Sequence, residues 1–316
     1  MMINLTEQEI MKNWKSNEIV VSINTLAYNH EKYIAQCIEG ILMQKTNFAF
    51  ELLIHDDAST DKTADIIREY EKKYPNIVKP IYQTENQWSK KIKISSTYQY
   101  PRAKGKYIAI CEGDDYWIDE NKLQMQVDFL ENNPEYGMCF SNSKILKNHV
   151  IEDLIEPNIE SDREVLPSEI ILNGGLFVPT PSIVFLKSLL SEYPTCCKQC
   201  WVGDYPLQIY CVLQGKVFCF KTPFVMYRRF SPGSWTSRTA SQTYNQKREG
   251  IISELKMLNG LNELSNYKYN RYFLKRKVIF LGRNIIREFN LVKAGPWYNI
   301  FIILFLCLSH IVKKLK

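Results

Sequence analysis

The hexapeptide EGDDYW, at residues 112–117, concentrates three carboxylates within four residues: Glu112, Asp114 and Asp115. Mutual repulsion makes such crowding costly unless a cation or water relieves it. Hard oxygen ligands suit Mg²⁺ or Mn²⁺, which keep several waters and accept the phosphate oxygens of a substrate as further ligands. The hexapeptide is therefore a candidate metal site. The alternative is a solvated acidic turn that precedes a helix near Asp119.

Polar residues also follow two apolar runs nearer the start of the chain. In TLAYNHEKY, Tyr28 offers a ring that can stack on a nucleobase, and Asn29 can orient the turn. In DDASTD, Asp61 suits a helix cap, whereas Asp56 and Asp57 are not needed for capping. Their carboxylates could accept hydrogen bonds from a base N–H or from ribose hydroxyls. Helix capping and ligand binding both remain open for this second segment.

The elements that must position these residues alternate between strand and helix. Short apolar or β-branched runs predict strands at 19–26, 50–55, 77–82, 106–111 and 137–141. Pro80 either weakens the third of these or places it at a sheet edge. Such alternation is typical of an α/β fold with a mainly parallel sheet, in which ligands bind at the carboxyl ends of the strands. We therefore expect the polar segments above to form one cleft.

Several other classes of protein are excluded by the sequence. The chain has 316 residues, 45% hydrophobic and 23% charged, which excludes a disordered or collagen-like chain. Neither a G-x-G-x-x-G fingerprint nor a P-loop is present. Nine cysteines at irregular spacing, with no signal-peptide pattern before them, predict reduced thiols in a cytosolic compartment. CCKQC, at 196–200, lacks a nearby histidine, so partly buried thiols are expected there rather than zinc.

Taken together, these motifs resemble the family 2 glycosyltransferases over about residues 18–235. The matching stretches include VVSINTLAYNHEKYIAQC, ELLIHDDASTDKT, AKGKYIAICEGDDYW and, more loosely, WVGDYPLQI. The resemblance implies a Rossmann-like, A-type nucleotide-sugar transferase fold. It also implies that Thr25, Tyr28 and Asn29, with Asp57, hold the nucleoside of a donor. The family usually carries Asp where Glu112 stands.

The resemblance extends to the chemistry of transfer. It implies that Asp114 and Asp115 form the D-x-D-like element, one contacting ribose or sugar and the other a divalent Mn²⁺ or Mg²⁺. Asp204 resembles the acid that opens an acceptor-site helix and acts as catalytic base, although its type and position equally suit a helix N-cap. YRRFSPGSWTSR resembles the loop that closes over the donor diphosphate in this family. Arg229 is the residue expected to pair with the diphosphate, and Arg228 and Arg238 are the alternatives.

The implied function is an inverting, metal-dependent, hexosyltransferase-like enzyme. It would move a sugar from a nucleotide-sugar donor, UDP-linked, to a glycan or lipid-linked acceptor in surface-polysaccharide or glycolipid assembly. Two alternatives remain: a nucleotidyltransferase, and a non-catalytic nucleotide- or sugar-binding module. The first usually carries a Gly/Arg/Lys-rich phosphate loop after its first strand, which TLAYNHEKY is not.

The end of the sequence is basic and apolar. Residues 267–316 carry eleven Lys or Arg and a single acid, Glu288, and residues 297–312 form an apolar run. A helix over that run is too short to span a bilayer and is typical of an in-plane membrane segment; a buried helix on the catalytic domain is the alternative. We expect a catalytic domain at 1–235, a helical basic region at 236–316, and a peripheral or monotopic position on the cytoplasmic face of the plasma membrane. Nucleic acid is not an expected partner.

Overall fold

In the computed structural model, which describes residues 5–147, 150–229 and 243–289, ten strands form one sheet flanked by helices. The strands are β1 (Ile19–Ala27), β2 (Ala49–Asp56), β3 (Val78–Tyr82), β4 (Tyr107–Ile110), β5 (Tyr116–Trp117), β6 (Tyr136–Lys147), β7 (Val150–Glu156), β8 (Arg163–Val165), β9 (Val184–Leu186) and β10 (Lys216–Arg229). Their order is β3-β2-β1-β4-β9-β6-β10-β5, with β7 beside β6 and β8 beside β10.

Helices cover the sheet and connect its strands. The helices are α1 (Glu7–Met11), α2 (Ile34–Leu42), α3 (Thr63–Lys73), α4 (Lys122–Asn132), α5 (Pro167–Asn173), α6 (Thr195–Lys198), α7 (Asp204–Gln214), α8 (Tyr244–Leu264) and α9 (Asn270–Phe289). A π-helical turn and a 3₁₀ turn occupy 95–102.

The first half of the sheet follows the strand–helix alternation of the sequence. β3, β2, β1 and β4 pair in parallel, as expected when helices cross between successive strands. Every residue of β2 is buried, and its one polar residue in the middle of the strand, Glu51, accepts the Ser22 hydroxyl of β1 at 2.7 Å. β3 is the outer strand and carries Pro80, so the edge position predicted for it is confirmed.

The second half of the sheet corrects the prediction of a mainly parallel arrangement. β9 runs antiparallel to both β4 and β6, and β5 and β8 run antiparallel to β10. The sheet is therefore mixed. Residues 216–229 form a single strand, with a shift of register between Phe220 and Val225 in its pairing with β6.

The described part of the C-terminal helices shares a core with the rest of the fold. Met257, Leu258 and Leu261 of α8 and Phe273 of α9 are fully buried in one cluster with Ile170 of α5 and Tyr205 of α7. Among the residues described, no helix is long and apolar enough to cross a membrane. The apolar run at 297–312 lies outside the described residues, so its contact with a membrane stays a prediction.

Helix α2 makes an unusually close backbone contact with β5, the strand that follows the acidic turn. A Cβ added at Gly40 of α2 would lie 2.7 Å from the carbonyl oxygen and 2.9 Å from the nitrogen of Trp117 in β5. Trp117 is buried and its indole N–H donates to the carbonyl of Pro181 at 2.8 Å. The absence of a side chain at Gly40 therefore allows β5, the strand that follows the acidic turn, to pack directly against α2.

Gly40→Ala should destabilise the protein, although alanine is the better helix former. The added methyl group must displace the Trp117 backbone, which we expect to lower the free energy of unfolding by about 1–3 kcal/mol. Gly250→Ala in α8 is the matched control, because its Cβ would lie 3.9 Å from the Trp201 ring, an ordinary contact. Denaturant unfolding of both variants checks this; equal stability of the two would contradict it.

Candidate active site

Three polar segments meet where β1, β2 and β4 end. Because β1 lies between β2 and β4, the residues that follow each strand lie side by side. The N–H of Asp57 donates to the carbonyl of Ala27 at 2.9 Å, and the N–H of Gly113 donates to that of Leu26 at 2.9 Å. A Cβ at Gly113 would lie 2.9 Å from the Leu26 oxygen, so glycine permits this approach. The predicted convergence of these segments is present.

Asn29 joins the segment after β1 to the segment after β2. Its backbone is left-handed, with φ of 57°, a conformation that asparagine adopts more readily than most residues. Its N–H donates to Ser59 Oγ at 3.0 Å, and its side-chain Oδ1 accepts the N–H of Thr60 at 2.8 Å. The amide oxygen of Asn29 thus holds two loops together. This contact agrees with the turn-orienting role predicted for Asn29.

Asp57 is buried and holds the segment after β3. Its two carboxylate oxygens accept the N–H groups of Gln87 at 2.7 Å and Trp88 at 3.0 Å. Burial alone would raise the pKa of Asp57, but the neighbouring His55 and these two N–H groups outweigh burial and keep the pKa below its ordinary value. Asp57 is therefore an anionic anchor for the segment after β3, and its predicted ligand role remains a proposal.

Buried polar atoms without a protein partner accumulate at the same strand ends. Within the described part of the chain, Asn24 Oδ1, Thr25 Oγ1 and Asp56 Oδ1 have no hydrogen-bond partner. Tyr28, directly after β1, is partly exposed. Unsatisfied buried groups are rare in folded proteins and call for an explanation such as a ligand or water. Their position fits the predicted nucleoside site.

Asp115 is the buried member of the acidic turn, with 1% of its surface exposed. Burial, followed by the charge of Asp114, raises the pKa of Asp115 well above its ordinary value, while the Arg228 N–H opposes the shift by donating to Asp115 Oδ1 at 2.7 Å. A divalent cation would relieve this accumulation of negative charge.

The donor set of the turn fits a metal that is completed by a substrate. Across residues 5–147, 150–229 and 243–289, no group of three or more His, Cys, Asp or Glu side chains is arranged to hold a metal ion. Mg²⁺ and Mn²⁺ sites that recruit substrate phosphates need only one or two protein carboxylates. Asp114 and Asp115 can supply these. In the CCKQC segment, Cys197 and Cys200 are buried free thiols.

The two neighbouring arginines of β10 have different roles. The Arg228 guanidinium donates to the Asp114 carbonyl and to Gln36, and it lies 4.9 Å and 4.7 Å from the ring centres of Tyr33 and Tyr116. Arg229 instead pairs with Glu156 and lies over Tyr227. Arg228 thus braces the acidic turn, a role the sequence did not reveal. Arg238 lies outside the described residues.

Asp204 is the first residue of α7, and the N-cap is Gly203, so the alternative of Asp204 as N-cap is wrong. The Asp204 carboxylate is half-buried; Oδ2 accepts the Thr180 hydroxyl at 3.1 Å and Oδ1 accepts the Tyr205 N–H at 2.8 Å. Burial raises the pKa of Asp204 despite these two hydrogen bonds. The carboxylate is therefore oriented by neighbours and more basic than an exposed aspartate.

Tyr227 of β10 connects Asp204 with the acidic turn. Burial raises the pKa of the Tyr227 hydroxyl, and the negative charges of Asp115, Asp204 and Asp114 raise it further, in that order. Tyr227 and Thr180 line the same small cavity, Thr180 donates its hydroxyl to Asp204, and the N–H of Arg228, next to Tyr227, donates to Asp115. Tyr227 therefore lies between Asp204 and the acidic turn. No role was predicted for Thr180 or for Tyr227, although Tyr227 is the first residue of the segment YRRFSPGSWTSR.

Comparison with known proteins bears on the same residues. Residues 22–167 match the protein-family model described as Glycosyl transferase family 2. An uncharacterized protein of Mycobacterium tuberculosis is 31% identical over 219 residues, which are 69% of this chain and 61% of that protein. A UDP-Glc:alpha-D-GlcNAc-diphosphoundecaprenol beta-1,3-glucosyltransferase of Escherichia coli is 34% identical over 132 residues, covering 42% of this chain and 49% of that enzyme. The chain thus spans less than two thirds of the length of these relatives.

Two solved structures share the fold. Staphylococcus aureus TarS in complex with UDP-GlcNAc matches with a TM-score of 0.65 and 16% identity, covering 89% of this chain and 78% of that chain. The mannosyltransferase PcManGT of Pyrobaculum calidifontis, in complex with GDP-Man and Mn²⁺, matches with a TM-score of 0.53 and 13% identity, covering 98% and 90%. These matches confirm the predicted α/β glycosyltransferase fold with a central sheet, which is mixed rather than mainly parallel.

Arg228→Met should weaken the acidic turn. The substitution removes charge-assisted hydrogen bonds to Gln36 and the Asp114 carbonyl, so we expect a loss of about 1.5–3 kcal/mol in the free energy of unfolding. Arg229→Met, which breaks a partly exposed ion pair, should cost about 1 kcal/mol or less. Denaturant unfolding measures both, and hydrogen exchange should accelerate at residues 112–117 only in the first variant. Equal effects would refute the distinction.

Proposed function

The chain carries a family 2 glycosyltransferase domain over residues 22–167, and on that premise we propose that it transfers a sugar from a UDP-linked donor to an acceptor hydroxyl. One observation carries the proposal: Tyr227 lines a small cavity together with Thr180, the hydrogen-bond partner of Asp204, while the N–H of the adjacent Arg228 donates to Asp115 of the acidic turn. A donor held at the acidic turn would therefore face a base on α7. Attack from the side opposite the leaving diphosphate inverts the anomeric configuration.

The donor would lie along the ends of β1, β2 and β4. Thr25, Tyr28 and Asp57 are proposed to hold the nucleoside, and the unpartnered atoms Thr25 Oγ1 and Asp56 Oδ1 support a polar ligand there. Asn29 would act indirectly, by joining the loops that form the pocket. Arg229, which lies over Tyr227, is the proposed partner of the diphosphate.

Asp114 and Asp115 are proposed to hold Mn²⁺ or Mg²⁺ together with the donor. When bound, the cation would neutralise charge on the diphosphate as it leaves. Asp115 contributes an oxygen whose position is set by the Arg228 N–H, and Asp114 contributes a more exposed carboxylate. The Mn²⁺ in the PcManGT complex supports this proposal for a protein of the same fold.

Asp204 is proposed as the general base that takes the acceptor proton. Its raised pKa strengthens it as a base, and the hydrogen bonds from Thr180 and Tyr205 orient its carboxylate. The E. coli relative acts on a diphosphoundecaprenol-linked sugar, which supports a glycan or lipid-linked acceptor in surface-polysaccharide assembly. Membrane association through the basic region at 236–316 and a cytoplasmic position remain parts of the proposal.

Asp204→Asn should lower turnover by about 10²–10⁴, the range typical of losing a general base, with UDP affinity changed only a few-fold. Asp65→Asn is the matched control, because Asp65 also lies in the first turn of a helix, α3, but is exposed. Steady-state release of UDP and calorimetric UDP binding separate the two effects. A parallel loss of binding and turnover would make Asp204 structural.

The pH profile gives a second measure of Asp204. Because its pKa is raised, the base becomes protonated and turnover falls at a higher pH than for an ordinary aspartate. This acidic limb should be absent from the residual activity of Asp204→Asn. An unchanged profile in the variant would assign the limb to another group.

Turnover should require Mn²⁺ or Mg²⁺ and disappear in excess EDTA. Asp114→Asn should retain the fold and lose turnover by about 10²–10³, as expected when a group that stabilises developing charge is weakened. Glu120→Gln is the control, since Glu120 is exposed and pairs with Lys45 beyond the turn. Full activity of Asp114→Asn in chelator would exclude the metal assignment.

A further inference from the structure

Arg276 of α9 is a buried cation that lies against the turn at the end of α5. Only 7% of Arg276 is exposed. A Cβ added at Gly174 would lie 2.6 Å from Nη2 and 2.8 Å from both Cζ and Nη1 of this guanidinium. Gly174 also has a positive φ of 80°. The guanidinium therefore occupies the space that any side chain at Gly174 would need.

Glu254 of α8 provides the charge that accompanies Arg276. Arg276 Nη2 donates to Glu254 Oε1 at 3.2 Å, and both side chains are largely buried. The Arg276 guanidinium also lies 5.1 Å from the centre of the Tyr205 ring. A buried ion pair is expensive to desolvate and is often replaceable by apolar residues without loss of stability. Its presence therefore calls for a reason other than stability.

The contacts of Arg276 lead directly to Asp204. Gly174 is followed by Gly175, where an added Cβ would lie 3.1 Å from Tyr205 Cβ and 3.9 Å from Asp204 Oδ1. Tyr205 is fixed at its other end, because its hydroxyl donates to the Ile171 carbonyl at 2.7 Å. The Tyr205 N–H in turn donates to Asp204 Oδ1. The glycine turn and Tyr205 are therefore the two surfaces between Arg276 and the Asp204 carboxylate.

We propose that the Arg276–Glu254 pair positions the Asp204 carboxylate for catalysis by holding the Gly174–Gly175 turn and Tyr205 against the start of α7. This inference rests on the proposed function, in which Asp204 is the base. Arg276 and Glu254 touch neither donor nor acceptor and are positioning residues. It follows that α8 and α9 form part of the catalytic unit.

Arg276→Met tests the inference, because methionine retains apolar bulk but has no fork to cover Gly174. The probes are UDP-glucose and UDP-N-acetylglucosamine, each with Mn²⁺ and with water as acceptor. We expect kcat for UDP release to fall at least tenfold with KM for the donor unchanged within about threefold, since small misplacements of a catalytic group are costly. Arg271→Met is the matched control, an exposed arginine on the same helix. Wild-type kcat in Arg276→Met would overturn the inference.

A double-mutant cycle distinguishes positioning from a general structural effect. If Arg276 acts through Asp204, adding Arg276→Met to Asp204→Asn should lower kcat little further. A full tenfold further loss in the double variant would overturn the inference while leaving the base assignment intact. If Asp204→Asn alone retains wild-type kcat, the proposed function fails instead, so the two failures are distinguishable.

Hydrogen exchange provides a readout that needs no turnover and covers the case of a poorly folded variant. Glu254→Gln keeps a hydrogen-bond acceptor for Arg276 but removes its charge, so it is the milder second variant. In both variants, exchange should accelerate in peptides covering 170–178 and 203–210, and Arg271→Met should leave those peptides unchanged. Unaltered exchange in both variants of the pair would overturn the inference.

Discussion

The contact on which the site depends is the hydrogen bond from the Arg228 N–H to the buried Asp115 carboxylate. It joins β10 to the turn between β4 and β5, across 113 residues of sequence. The Arg228 guanidinium adds contacts to Gln36 and the Asp114 carbonyl between two tyrosine rings. A carboxylate as buried as Asp115 is costly without such partners. The strand that carries Tyr227 and Arg229 is thereby held at the acidic turn.

A lysine is buried beside Trp117, in the strand that follows the acidic turn. Lys122 is fully buried, lies 4.1 Å from the centre of the Trp117 ring and donates to Gln126 at 2.7 Å. Burial lowers the pKa of Lys122 to about 7. The backbone of Trp117 packs closely against Gly40 of α2. The acidic turn is thus held by the packing of Trp117 on Gly40 and by the hydrogen bonds of Arg228.

Two halves of the fold contribute opposite partners to the proposed reaction. The parallel half supplies the loops around Asp57 and the acidic turn, joined by Asn29, and its geometry follows from strands that end at one edge. The half beyond β4 supplies Asp204, with Thr180 beside it, at the start of α7. The C-terminal helices and α7 share one buried core. The packing that buries these helices therefore also holds α7, whose first residue is Asp204.

The sequence alone determined the elements and residues that depend on local pattern. β1, β2 and a helix that begins near Asp204 follow from the residue pattern within short stretches, although the N-cap is Gly203, and the acidic turn follows from composition at a strand end. The tertiary structure decided the antiparallel course of β9, the brace formed by Arg228, the loop-joining role of Asn29 and the contact of Arg276 with Gly174. Each of these depends on which distant segments pack together, because hydrogen bonds and close contacts between them leave no periodic trace along the chain.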